Sequence, residues 1–279
     1  MKYALVTGAT NGLGLETARA LAAQQYFVLV HGRDAKKGDT TVTALRSATA
    51  NQDIHFLEAD FTSLGDVRAL ASRVDTLVPR LDLLVNNAGC AMFSRHETRD
   101  GYEMTLAVNH LAPFLLTMLL LPKIKASAPA RIVNVASSAH RHQRLDFDDL
   151  MSLREYKTMT VYGRSKLANI LFTRALAKRL AGTGVTVNSL HPGVVRTGIG
   201  QNNPLMRAIG GIVMHFRGIP VEAGARTSIY LSTSPEVEGK SGDYYVECRP
   251  SQYRTSADAL DDATAERLWR VSEELVRER

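Results

Sequence analysis

A doubly wound α/β fold, a parallel sheet of about seven strands with helices on both faces in one domain spanning 1–279, is predicted by three observations. Short apolar β-prone runs alternate with segments of helical period along the whole chain. The first run, Tyr3-Ala4-Leu5-Val6, ends abruptly at a glycine-rich turn that opens into a helical pattern. A second run, Phe27–His31, then closes a strand–helix–strand unit of about 30 residues, the length of one βαβ crossover.

The turn reads Thr7-Gly8-Ala9-Thr10-Asn11-Gly12-Leu13-Gly14, followed by a helix over 15–23. Glycines let the backbone approach a phosphate closely, and the N–H groups of a first helical turn point at it, so this stretch predicts an anion cradle of Rossmann type. Its spacing, Gly-x-x-x-Gly-x-Gly, departs from the Gly-x-Gly-x-x-Gly dinucleotide pattern, and a plain tight turn is the alternative. At the end of the second strand stand Gly32-Arg33-Asp34. An acid there holds a ribose 2′-hydroxyl, whereas glycine and arginine leave room and positive charge for a 2′-phosphate. The residues favour NADP(H), with NAD(H) as the alternative. Asp34 is placed either to neutralise Arg33 or to point at the ribose.

Residues 35–50 read as a polar helix and Ile54–Glu58 as the third strand, with Asp60-Phe61 beyond it at the carboxyl end of the sheet, where ligands bind in such folds. Ser63 is an N-cap for a helix running to Val78, and Pro79 helps to end it. A fourth strand over 81–85 finishes in Asn86-Asn87-Ala88-Gly89, residues suited either to a turn or to the approach of a flat ligand. A helix over 101–125 carries Asn109, with Pro113 placed to kink it, and strand 131–136 leads into Ser137-Ser138-Ala139-His140. Next comes a helix with Tyr162 and Lys166 four apart on one face. An ammonium near a phenol favours the phenolate, which lowers the ordinary tyrosine pKa of about 10 and suits the residue to proton transfer. Strand 185–190 ends at His191-Pro192-Gly193. The apolar, glycine-punctuated stretch 196–220 fits a lid over a lipophilic ligand, with a membrane or oligomer contact as the rival reading. A helix over 222–232, a strand over 243–247 and a last helix over 263–276 complete the chain.

Of the 279 residues 45% are hydrophobic and 22% charged, as in ordinary soluble domains. The net charge of +6 is spread along the chain without a basic run, which argues against a nucleic-acid partner. The two cysteines, Cys90 and Cys248, make neither a redox pair nor a disulfide framework and are expected to be free and buried. The first strand begins at residue 3, leaving no room for a signal peptide, and the apolar run 111–121 is too short to cross a bilayer. The expectation is a cytoplasmic protein without a membrane span. The eight histidines are too scattered to propose a metal. His140 and His142 read as solvated or cofactor-neighbouring loop residues, and His191 as structural.

Taken together and in order, Thr7–Gly14, Asn86–Gly89, Ser137 and Tyr162–Lys166 resemble the classical short-chain dehydrogenase/reductase family over essentially the whole chain. Arg131–His140, Lys166–Thr173 and His191–Thr197 are most similar to its retinol dehydrogenase-like branch. The resemblance implies an NADP(H)-dependent oxidoreductase, of carbonyl reductase or alcohol dehydrogenase type, acting on a small carbonyl or alcohol substrate. It implies Tyr162 as general acid/base, and Lys166 lowering the tyrosine pKa and holding the nicotinamide ribose. Ser137 would bind the substrate oxygen, and Asn109 would support a water in a proton relay. Gly8, Thr10, Asn11, Gly12, Leu13 and Gly14 would cradle the pyrophosphate and adenosine ribose. Asp60 and Phe61 would meet the adenine, Asn87, Ala88 and Gly89 the middle of the cofactor, and Pro192, Val195 and Thr197 the carboxamide. A homo-oligomer formed through helices near 160–180 and 222–232 is a further family expectation. The alternatives are a dinucleotide-binding sensor, marked by loss of the tyrosine, lysine or serine, and a ring reductase on the same scaffold.

Overall fold

Seven strands lie parallel: β1 (Tyr3–Val6), β2 (Phe27–Gly32), β3 (Ile54–Glu58), β4 (Leu83–Asn86), β5 (Ala130–Val135), β6 (Val185–His191) and β7 (Tyr244–Val246). The computed structural model describes residues 1–193, 220–251 and 255–277. Sheet order is β3-β2-β1-β4-β5-β6-β7, and a two-residue eighth strand, β8 (Arg249–Pro250), pairs antiparallel with β7. The order reverses between β1 and β4, and the carboxyl ends on either side of that switch open a crevice for a ligand.

The strands are short and almost wholly apolar because both faces are covered. Their side chains alternate. Leu5, Leu29, Leu57, Leu84, Ile132 and Val187 face one core, and Val6, Val28, Val30, Val85, Val133 and Leu190 the other. Helices α1 (Gly12–Ala23), α2 (Ala35–Thr49) and α6 (Val221–Thr233) close the second core through Ala18, Leu21, Val42, Leu45 and Leu231. The larger core lies beneath α3 (Leu64–Leu77), α4 (Met104–Ala126), α5 (Thr158–Arg179) and α7 (Asp262–Val276). Each fully buried aliphatic side chain in these layers stabilises the fold by roughly 1.5–3 kcal/mol.

Helix α4 is long and apolar enough to cross a membrane, but 78% of its most apolar window is buried inside the fold. It is not a regular helix throughout. Residues Ala107–Leu111 form a π turn, and Pro113 follows one residue beyond it. Proline has no N–H, and its ring excludes the carbonyl four residues back, here that of Asn109. The expected kink is therefore accommodated as a widened turn centred on Asn109.

Buried amides fix the sheet's carboxyl edge. Asn86 Nδ2 donates to Asn134 Oδ1 at 2.8 Å and to Thr117 Oγ1 at 3.0 Å, and Asn134 Nδ2 donates to Thr173 Oγ1 at 2.9 Å. These bonds tie β4, β5, α4 and α5 together at the end where the ligand crevice opens. Another buried polar group, His110, joins α4 to α7 through a 2.8 Å contact between Nε2 and Ser272 Oγ.

Candidate active site

The turn after β1 is built around close approach. Gly8 has φ +62°, and a Cβ there would stand 2.8 Å from Ala88 Cα. At Gly14 a Cβ would lie 2.4 Å from both Asn87 Nδ2 and the Gly8 carbonyl. Asn87 is the staple. Its Nδ2 donates to the Thr7 and Gly8 carbonyls at 2.8 and 3.2 Å, while Thr7 Oγ1 accepts from the Asn87 and Ala88 amides at 2.9 and 3.0 Å. Helix α1 starts at Gly12, and its N-cap Asn11 makes no side-chain cap bond; there is also no acid in the first turn. By contrast, Asp34 and Ser63 accept main-chain N–H bonds as caps of α2 and α3. The donors of α1's first turn thus meet no side-chain acceptor at Asn11, which is the donor set a phosphate requires.

Two residues at the ends of β2 and β3 differ from the sequence reading. Asp34 is committed to capping α2, where it accepts from Lys37 N at 3.0 Å. Phe61 is buried and stacked on His31 with centroids 4.3 Å apart, so its ring belongs to the core. Asp60 is partly exposed and accepts from Thr62 N. Arg33 is exposed just beyond β2.

His31 had no assigned role in the sequence reading. Its Nδ1 accepts from Gly8 N at 3.2 Å, so the proton sits on Nε2, which donates to the Ala59 carbonyl at 3.1 Å. The ring links the glycine turn to the end of β3. Burial holds the imidazoles of both His31 and His110 down at about 4. Between pH 6.5 and 4 the unfolded chain takes up protons at these positions while the folded chain does not, so stability falls as pH drops through that window. Melting temperatures from pH 7 to 4 should show this, with a shallower loss in His110→Asn. Equal slopes would remove His110 from the account.

The chemical groups converge where α5 crosses the ends of β4 and β5. The Ser137 hydroxyl, which accepts from Ala139 N at 3.2 Å, stands near enough to the Tyr162 phenol to favour its ionised form. Lys166 is 4% exposed, and its Nζ donates to the Val135 carbonyl at 3.0 Å and lies 5.7 Å from the Tyr162 ring centroid. Gly163 makes the approach feasible: a Cβ there would lie 2.4 Å from the Ala139 carbonyl, so the turn Ser138–His140 rests directly on the helix beside Tyr162. Gly89 completes the floor, its absent Cβ falling 3.1 Å from Asn109 Oδ1 and 3.4 Å from Lys166 Nζ.

The side chain of Asn109 is fully engaged. Oδ1 accepts from Cys90 N at 2.7 Å, and Nδ2 donates to the Cys90 carbonyl and to Ser165 Oγ, both at 2.9 Å. It pins the loop after β4 to α5.

Burial sets the electrostatics. The Tyr162 phenol is pushed above its usual value by burial, with the nearby Ser137 hydroxyl opposing, and the Lys166 ammonium is pushed down to about 8 by burial. Withdrawal from water disfavours the charged forms of both groups, so the phenol is raised where a lowering was expected. The Cys90 thiol is raised to about 12, chiefly by burial and then by Glu103. Both cysteines are half-buried, more exposed than expected.

His140 is also a correction. It is fully buried, because its ring packs edge-on against Tyr244 with centroids 5.0 Å apart and its Nδ1 lies 2.6 Å from the Ser137 carbonyl. Pro192 follows β6 at the rim of the site, while Val195, Thr197 and all but Pro220 of the expected lid 196–220 lie outside the described residues.

The family model for short chain dehydrogenase matches residues 2–208. The chain is 42% identical to human retinol dehydrogenase 14, covering 99% of this chain and 86% of that protein, and 41% identical to mouse retinol dehydrogenase 12 with the same coverage. Among solved structures, an uncharacterised protein from Mycobacterium paratuberculosis superposes with TM-score 0.78 at 31% identity, covering 99% of this chain and 93% of that one. The Pseudomonas aeruginosa RhlG/NADP active-site complex superposes with TM-score 0.68 at 30% identity, covering 87% and 93%. Glycine turn, serine, tyrosine and lysine on this scaffold, with relatives of this closeness, make the chain a member of the short-chain dehydrogenase/reductase family, in its retinol dehydrogenase-like branch.

Proposed function

We propose that the protein is an NADP(H)-dependent oxidoreductase interconverting the carbonyl and alcohol forms of a lipophilic small molecule. The convergence of Ser137, Tyr162 and Lys166 at the mouth of the β1–β4 crevice carries this reading. Retinol, the alcohol in the relatives' names, supports the lipophilic class. The donors of Gly12, Leu13 and Gly14 would hold the pyrophosphate, with Gly8, Thr10 and Asn11 beside it. Asp60 and the main chain of Phe61 would border the adenine, Asn87, Ala88 and Gly89 the central ribose, and Pro192, Val195 and Thr197 the carboxamide. The bound nicotinamide would supply or accept the hydride at the substrate carbon.

The chain's own groups handle the proton and the oxygen. A phenol that keeps its proton at neutral pH is in the state that donates to a carbonyl oxygen, and Ser137 would orient that oxygen. The Lys166 ammonium, anchored on Val135, would stabilise negative charge developing at Tyr162. Asn109 would support the relay.

Arg33 would read the 2′-phosphate, since Asp34 is occupied as a helix cap. Calorimetry with NADPH and NADH should show tighter NADPH binding, and Arg33→Ala should weaken NADPH by about tenfold or more, a charge-assisted bond of 1.5–3 kcal/mol, with little effect on NADH. Equal losses for the two cofactors would take the 2′-phosphate away from Arg33. Absence of binding by either would defeat the proposal.

A further inference from the structure

The carbonyl of Ser137 and the N–H of Ser138 belong to one peptide group, and a different imidazole engages each end. His140 Nδ1 stands 2.6 Å from the Ser137 carbonyl oxygen. A carbonyl only accepts, so Nδ1 carries the proton. That leaves Nε2 as an acceptor, and Ser256 N faces it at 3.4 Å. At the other end, Ser138 N donates to His191 Nδ1 at 3.2 Å. The same carbonyl accepts the main-chain N–H of His140 at 3.2 Å, which closes the short turn.

We infer that His140 and His191 are positioning residues that clamp the Ser137–Ser138 peptide and so fix the direction of the Ser137 hydroxyl toward Tyr162. This inference rests on the assignment of Ser137 as the group that binds the substrate oxygen. With the peptide held, ψ of Ser137, 153°, sets where its Cβ and hydroxyl stand relative to the turn. Rotation of this peptide would move the Ala139 carbonyl that rests on Gly163, next to Tyr162. The clamp draws on three remote pieces of chain: the turn after β5, the end of β6, and the segment at Ser256 that precedes α7. His140 has both ring nitrogens engaged, by the Ser137 carbonyl and Ser256 N, and His191 Nδ1 is engaged by Ser138 N, so in these contacts the two rings act through Ser137.

Amide replacements separate this role from simple filling of space. In asparagine, Nδ2 occupies the place of the histidine Nδ1; in glutamine the amide reaches the place of Nε2. His140→Asn should therefore keep kcat near the unaltered value. His140→Gln should lower kcat by about 10²-fold, the usual scale for a misplaced catalytic group, with the KM for the dinucleotide unchanged. In a Ser137→Ala background, His140→Gln should add no further loss, because the residue acts only through the serine. Equal kcat for the two amide variants, or an undiminished loss in the Ser137→Ala background, would overturn the inference. If His140→Gln does not fold, the other end gives the same test: His191→Asn offers Oδ1 to Ser138 N and should retain kcat, whereas His191→Leu should lose it. Equal rates for that pair would overturn the clamp. Full activity in Ser137→Ala alone would instead remove Ser137 from catalysis, a result distinct from failure of the clamp.

Discussion

Tyr162→Phe is expected to lower kcat by about 10²–10⁴-fold, the range lost when a general acid is removed, while dinucleotide binding persists. Phenylalanine keeps the ring, its burial and its face toward Lys166 Nζ; only the hydroxyl beside Ser137 goes. The folded state loses no more than one polar contact, about 1 kcal/mol, so the melting temperature should move by only a few degrees. Steady-state turnover of a lipophilic aldehyde, beside calorimetric titration with the dinucleotide, gives both readouts. Retained turnover would move the proton to another group; loss of both turnover and binding would place Tyr162 in the cradle and leave its chemistry unproven.

Gly14→Ala should have the opposite signature, a failure of binding together with a loss of stability. The new methyl would fall 2.4 Å from Asn87 Nδ2 and from the Gly8 carbonyl, neither at the end of a flexible chain. Overpacking costs about 1–3 kcal/mol, and displacing the Asn87 amide from the Thr7 and Gly8 carbonyls about as much again. At roughly 2–4 °C per kcal/mol for a chain near this size, the melting temperature should fall by about 5–15 °C. Dinucleotide affinity should fall at least about tenfold, since 1.4 kcal/mol of misfit in the cradle is enough for that. Gly65→Ala in α3 is the comparison: its methyl would meet only Ser63 Oγ at 3.5 Å, and a helical glycine replaced by alanine gains about 0.5–1 kcal/mol. Similar behaviour of the two variants would contradict the close-packed cradle.

The sequence was most legible where chemistry and local geometry coincide. The β1 strand, the Ser63 cap and the four-residue spacing of Tyr162 and Lys166 follow from periodicity and local bonding, and they stand where expected. The cap at Asp34 carried the same kind of local signal, an acid directly before a helix, but a reading centred on the ribose passed over it. Burial was not legible. Phe61 turns inward onto His31, His140 is enclosed by Tyr244 and Ser256, and the Tyr162 pKa rises rather than falls, each because of residues distant in the chain. The π turn was half legible, since Pro113 announces an irregularity at Asn109 without saying that the helix will continue through it.

Strand β1 lies between β2 and β4, and Tyr3 N reaches the Asp82 carboxylate across 79 residues of chain. During synthesis, β1 must therefore wait for β4 before its second edge is paired. Until then it presents a short, apolar, unprotected edge of the kind that recruits other chains. Closing so long a loop costs entropy before any contact offsets it, which makes high contact order and slow folding the kinetic counterpart of this topology. The phosphate cradle depends on that same late event, because Asn87 beyond β4 is what staples the turn after β1. A nascent chain ending before residue 87 would carry all the glycines of the cradle without the amide that shapes them.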